Sequence, residues 1–229
     1  YSIYFNLNFN SYAILLIISF IIGFSFCFVG RKNIKNISLF EQIIFILVGF
    51  IFLPLLISLP FFLNTNITFI NSYFEAISGF TATGFSTIDE VEKIDNGLLL
   101  WRSTSQWLGG LFFLTAIIGT LGLKKAKIKP TYLISGSTLE ANFYNNFNYN
   151  FIRILSIYFF STIFIIFLYT LIDLRLLDAV NLAFTTISSG GFIPGDNLSN
   201  IVNTNTQIFV LSITLLFPIF NFYLLFNIF

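Results

Sequence analysis

Charge is what this sequence has least of. Only 9% of its 229 residues are Asp, Glu, Lys or Arg, against roughly a quarter in a soluble domain, so the chain cannot clothe a water-exposed surface. It has no histidine and a single cysteine, Cys27. Most proton-transfer and metal chemistry relies on those side chains, and paired intramembrane carboxylates are also missing, so no enzyme is expected. One cysteine cannot close an intrachain disulfide and leaves the redox compartment unread. A net charge of +1 with no basic run beyond short loop clusters offers nucleic acid no footprint. What is abundant is apolar: 56% hydrophobic and 20% aromatic residues, 33 of them Phe. The solvent implied by this composition is a lipid bilayer.

Crossing roughly 30 Å of hydrocarbon takes about 20 helical residues. Five runs qualify: 11–29, 42–63, 98–123, 154–172 and 207–229. The third is the least clean, because WRSTSQWLGG (101–110) sets Arg102, Gln106 and two glycines near its start. Arg102 lies close enough to the end to snorkel. The first run is too long for a signal peptide, and its basic residues follow it. Arg31, Lys32 and Lys35 come after the first run, Lys124, Lys125, Lys127 and Lys129 after the third, and Arg153 before the fourth. Eight of the 11 basic residues thus share one side, which the positive-inside rule makes cytoplasmic, giving an N-out, C-in chain. The opposite side carries Asp89, Glu90, Glu92, Asp95, Asp173, Asp178 and Asp196, carboxylates that raise the local cation concentration at an entrance.

The two outer connections, 64–97 and 173–206, are equal in length and read as an internal repeat. Each opens with a helical piece too short to span (71–80 and 176–187), the first with Asn71 or Ser72 as N-cap. Each then enters small residues and glycine, TATGFSTID (81–89) and SSGGFIPGD (188–196). Taken singly, either segment reads as an ordinary surface turn. Matched in length, side and preceding helix, the pair reads as re-entrant. Irregular backbone at membrane depth survives only against protein or a watery cavity, and its carbonyls can replace the water shell of a dehydrated alkali cation. A short helix aiming its C-terminal end at the cavity favours the same charge. Gly84 and Gly190 are expected to supply backbone angles closed to other residues.

The string FEAISGFTATGFSTID (74–89), followed by LLLWRSTSQWLGG (98–110), resembles the first pore loop and next helix of the TrkH/TrkG potassium-uptake subunits. NLAFTTISSGGF (181–192) resembles their second pore loop, and RKNIKNISLFEQ (31–42) the cytoplasmic link entering the first repeat. The resemblance implies an all-α membrane protein of the Trk/Ktr/HKT superfamily, with four helix, pore-loop, helix repeats around one pore. Two of those four are expected here, preceded by one extra transmembrane helix. The expected units are 1–36 (helix and cytoplasmic link), 37–129 (first repeat) and 130–229 (second repeat, truncated at its C-terminus).

Aligning the loops on glycine sets Ala82, Thr83, Gly84 and Phe85 opposite Ser188, Ser189, Gly190 and Gly191. By resemblance these form the filter, with potassium held through the backbone of Thr83, Gly84, Ser189 and Gly190. Pro194 departs from the family's pattern, and its fixed angle bears on the outer mouth. The resemblance further implies potassium uptake across a bacterial cytoplasmic (inner) membrane, with the ion as substrate and no cofactor. It also implies a homodimer and a cytosolic TrkA-type nucleotide-binding regulatory subunit. A sodium-coupled or sodium-permeable Ktr or HKT relative is the alternative within the class. A secondary transporter with broken helices is the alternative outside it, and should carry ionisable residues inside its spans. Glu75 and Asp178 read as helix anchors, and Arg102 as the ion-pair partner of Glu75 or of the acidic loop. Gly109, Gly110, Gly119 and Gly122 mark a face for close helix approach, Pro54, Pro60 and Pro218 mark kinks, and the polar loop 130–150 with Glu140 is a connector or a partner contact.

Overall fold

A computed structural model describes residues 9–30, 39–121 and 143–228. The link residues Arg31, Lys32, Lys35, Lys124, Lys125, Lys127 and Lys129, together with Gly122 and the loop from 130 to 142 with Glu140, lie outside the described residues. Seven α-helices and no strand occur among the described residues: α1 (Phe9–Gly30), α2 (Leu39–Asn64), α3 (Phe69–Phe80), α4 (Asn96–Leu121), α5 (Phe143–Leu171), α6 (Leu176–Ser188) and α7 (Asn205–Ile228). Three of them contain stretches long and apolar enough to cross a bilayer, Tyr12–Gly30, Phe40–Asn64 and Phe151–Leu171. The five expected runs each fall within or closely overlap a helix, and the two short pieces form α3 and α6. Two single 3-10 turns, Val91–Lys93 and Leu198–Asn200, interrupt the outer connections at matching places.

The order long helix, half-helix, irregular segment, long helix therefore occurs twice, as α2–α3–α4 and α5–α6–α7. α2 remains helical through Pro54 and Pro60, and α7 through Pro218. The N-cap of α3 is Thr68, not Asn71 or Ser72. Thr68 has extended backbone (φ −65°, ψ 157°), and its hydroxyl accepts the Asn71 N–H at 3.3 Å. Ser72 lies one turn inside the helix and donates its own hydroxyl to the Thr68 carbonyl at 3.0 Å. The capping geometry selects the residue with β-region angles, and a hydroxyl already inside the first turn cannot serve.

Each repeat has its own apolar core. Ile57, Phe61, Ala76, Phe80 and Leu98 form the first, and Tyr158, Ile165, Tyr169, Leu182 and Ile187 anchor the second. α4 belongs to both. Leu98, Trp101 and Phe112 pack into the first cluster, whereas Trp107, Leu111 and Leu114 pack against the second. Residues three and four apart share a helix face, so the alternation of these sets winds two stripes along one helix. Polar ties reinforce the second: Trp107 Nε1 donates to Thr162 Oγ1 at 3.0 Å, the Tyr158 hydroxyl donates to the Trp107 carbonyl at 3.0 Å, and Tyr169 and Thr214 share a hydroxyl bond of 2.6 Å.

Candidate functional site

The two half-helices end in loops that touch. α3 closes with the Thr81 N–H on the Ile77 carbonyl, and the chain then turns at Ala82, a non-glycine residue at φ 53°. The Thr83 and Gly84 amides return to the Ser78 carbonyl at 2.9 and 3.4 Å, and Gly84 takes φ 81°. The Ser78 hydroxyl donates to the Phe85 carbonyl at 2.5 Å, so one residue of α3 staples both sides of its own loop. In the second repeat the Ser189 N–H reaches the Thr186 carbonyl at 3.1 Å and the Gly190 N–H the Thr185 carbonyl at 2.8 Å. Ser189 stands at φ 57° and Gly191 at 78°.

These angles shift the pairing of the loops by one residue from the glycine-on-glycine alignment. The left-handed positions are Ala82 and Gly84 in one loop and Ser189 and Gly191 in the other. The hydrogen bonds repeat with the same offset, Thr83 to Ser78 matching Gly190 to Thr185. Gly84 is thus the counterpart of Gly191, Thr83 of Gly190, and Phe85 of Phe192. Gly190, expected to supply the forbidden angle, does not: it is glycine for space. A Cβ there would fall on the carboxamide of Gln106. At Gly84 both reasons hold, since its φ is positive and a Cβ would stand 2.5 Å from the Gly190 carbonyl oxygen. That contact brings the two loops together.

Behind the loops lies a polar layer that α4 organises. Glu75 is fully buried in α3, and Arg102 is 3% exposed in α4. Arg102 does not snorkel: its Nε donates to Glu75 Oε1 at 2.8 Å. Its remaining donors reach Ser86 Oγ at 3.2 Å and the Ile193 carbonyl at 3.4 Å, and its guanidinium carbon lies 4.2 Å from the centre of the Phe192 ring. Glu75 also accepts from Ser86 Oγ and from the Thr87 amide at 3.0 Å. One ion pair therefore holds α3, the exit of the first loop, α4 and the exit of the second. Asp178 pairs instead with Arg175 at 2.9 Å within the first turn of α6.

One turn further along α4, buried Gln106 faces the second loop. Its Nε2 donates to the Gly190 carbonyl at 2.5 Å and its Oε1 accepts the Phe192 amide at 3.2 Å. Ser103 bonds the buried Asn181 of α6 at 2.6 Å. Gly109 lies directly against the Phe80 carbonyl at the end of α3, and a Cβ at Gly110 would stand 3.0 Å from Ser188 Cβ at the end of α6. The W-R-S-x-x-Q-W-L-G-G string is thus a spine: its polar residues hold the loops and its glycines let both half-helix ends approach. Ser78, Ser86 and Asn181 carry no mark in the sequence, and Gln106 stands out there only as a polar interruption of the third run. The signal for Gln106 was its place four residues after Arg102, the spacing that puts both on one helix face.

Beyond the loops the two connections are cross-linked. Asp196 Oδ1 accepts the Val91 amide at 2.6 Å, capping the first 3-10 turn, and Asn200 Nδ2 donates to Glu92 Oε1 at 3.2 Å. A cavity of about 480 Å³ opens there, lined by residues including Glu92, Asn96, Arg175, Asp178, Pro194 and Asn200.

The sequence and the fold both have known counterparts. Over 148 residues the chain is 30% identical to the Trk system potassium uptake protein TrkI of Halomonas elongata, covering 65% of this chain and 29% of that one. Over 169 residues it is 26% identical to an uncharacterized cation transporter of Methanocaldococcus jannaschii, covering 73% of this chain and 35% of that one. The crystal structure of the potassium transporter TrkH from Vibrio parahaemolyticus superposes with a TM-score of 0.64 over 80% of this chain and 36% of that one, at 24% identity. The chain is thus similar in sequence to Trk system potassium uptake proteins and in fold to TrkH. It is a multi-pass membrane protein, all-helical among its described residues. No protein-family model matches it. The chain spans about a third of the length of the relatives it matches.

Proposed function

We propose that this chain forms half of a potassium-conducting pore and that its two loops are strands of a selectivity filter. The observation that carries the reading is the meeting of two left-handed loops at Gly84 and Gly190, each at the C-terminal end of a half-helix. Backbone in that conformation, held from behind by side chains, leaves carbonyls available to an ion in place of its water. The C-terminal ends of α3 and α6 add partial negative charge in the same direction. Among the sequence-expected filter residues, Thr83, Phe85, Ser189 and Gly191 are exposed on the loops, while Gly190 is buried behind them. Its carbonyl has one of its two lone pairs engaged by Gln106. The relatives' names, potassium uptake proteins and a cation transporter, support the same substrate class.

The ring we propose needs further repeats. Phe192 is covered by Arg102 from the preceding repeat, whereas its counterpart Phe85 is 69% exposed, where another repeat would cover it. Ions would enter past the acidic outer residues, shed water at the loops and move inward. The membrane potential supplies about 2.3 kcal/mol per charge per 100 mV, so no chemical step is required. A bacterial inner-membrane location, a homodimer and a cytosolic TrkA-type regulatory subunit belong to the same proposal. The test is growth of a potassium-uptake-deficient bacterium carrying the full-length protein in low potassium. Growth is expected, and Gly84→Ser is expected to relax discrimination against sodium. A Gly84→Ser protein with wild-type potassium-over-sodium selectivity would remove the filter from the reading.

A further inference from the structure

The two loops are held by different means. In the first, the half-helix supplies its own staple, because Ser78 receives the Thr83 and Gly84 amides on its carbonyl and gives its hydroxyl to the Phe85 carbonyl. The counterpart of Ser78 in α6 is Thr185. Its carbonyl receives the Gly190 amide in the same way, but its hydroxyl turns back to the Leu182 carbonyl at 3.1 Å, inside its own helix. Nothing from α6 takes up the far side of the second loop. That place is filled from α4, 84 residues earlier in the chain, by Gln106.

The carboxamide is suited to the task. It offers a donor and an acceptor a fixed distance apart, and here the donor meets the Gly190 carbonyl while the acceptor meets the Phe192 amide. The two peptide groups so gripped flank Gly191, the residue at φ 78° that has nothing within 4 Å of where a Cβ would be. Gly191 is free to turn, and the clasp on either side removes that freedom. The side chain is fully buried, so no water competes for either bond, and an unmade bond leaves a buried polar group unpaired. The absence of a Cβ at Gly190 is what admits the carboxamide so close to the backbone.

We propose that Gln106 is the positioning residue of the second loop: its carboxamide fixes the peptide groups on either side of Gly191 and thereby sets how well that loop discriminates between potassium and sodium. The proposal rests on reading the loops as a filter. It goes beyond that reading by assigning the selectivity of one loop to a side chain on another repeat's helix.

The experiment measures potassium and sodium flux into proteoliposomes containing the full-length protein, with each variant compared at equal reconstituted amount. Gln106→Leu keeps the volume and removes both bonds. Gln106→Glu keeps the acceptor for Phe192 and turns a second acceptor toward the Gly190 carbonyl. Both are expected to transport with potassium-over-sodium discrimination reduced roughly tenfold, the order set by losing a buried hydrogen-bond partner. A merely structural residue would lower total flux and leave the ratio intact. Unchanged discrimination in Gln106→Leu, alongside relaxed discrimination in Gly84→Ser, overturns the clasp and leaves the filter standing. Unchanged discrimination in both overturns the filter and the clasp with it.

A second pair of variants decides the matter if Gln106→Leu does not reach the membrane. Gly190→Ala forces a Cβ onto the carboxamide and is expected to abolish flux. Gly190→Ala combined with Gln106→Ala vacates the space and is expected to restore flux without restoring discrimination. A double variant no better than the single, or one with wild-type discrimination, overturns the proposal.

Discussion

Replacing Glu75 by Gln is the sharpest probe of the polar layer. Glutamine keeps the shape and one acceptor but removes the charge opposite Arg102, which is only 3% exposed. The guanidinium is then left with the Ser86 hydroxyl, the Ile193 carbonyl and the Phe192 ring, none of them charged. Breaking a buried pair by deleting one partner destabilises by roughly 3–5 kcal/mol. At roughly 2–4 °C per kcal/mol for 150–250 residues, and less for a longer chain, the unfolding midpoint should fall by several degrees. The internal control is Glu90→Gln: its pair with Lys93 has side chains 60% and 73% exposed, and such surface pairs contribute about 0–1 kcal/mol. The assay is thermal unfolding of the purified full-length protein in detergent. Removing both charges, as in Glu75→Gln with Arg102→Met, should recover about half of the loss. If Glu75→Gln melts with Glu90→Gln, the pair is hydrated and the burial argument fails.

Three further outcomes follow from the same geometry. Gly109→Ala drives a Cβ into the Phe80 carbonyl, so it should destabilise by about 3 kcal/mol or more, read as lost monodisperse protein on size-exclusion chromatography; Gly23→Ala, with nothing within 4 Å, should be neutral or stabilising by up to about 1 kcal/mol. At Gly191 the obstacle is the positive φ alone, so growth in low potassium should rank Gly, then Asn, then Ala, then Val. Ser78→Ala loses one hydrogen bond to the Phe85 carbonyl, about 1 kcal/mol. It should lower discrimination measured by flux less than Gly84→Ser does.

The fold was largely legible because each element has a length signature. Uninterrupted apolar runs match the thickness of a bilayer, and pieces such as 71–80 and 176–187 are too short to do so yet end in small residues and glycine. The Glu75–Arg102 pair was legible only in part: the sequence offered Arg102 either Glu75 or the acidic loop and set it near a membrane surface, whereas it is buried against Glu75. The register of the loops was not legible. SSGG displays two adjacent glycines, and nothing in the letters says that Gly191 needs its angle and Gly190 its space. That distinction is made by Gln106, 84 residues away, through a contact no local pattern encodes. The cap at Thr68 escaped for a similar reason: hydroxyls and amides stand at several neighbouring positions, and backbone angles choose among them.

The ion pair between α3 and α4 also constrains how the chain enters its membrane. Glu75 emerges from the ribosome 27 residues before Arg102, and a carboxylate without its partner is poorly tolerated in hydrocarbon. α3 seated at membrane depth without α4 would hold an unneutralised carboxylate, so the pair favours the two helices docking together.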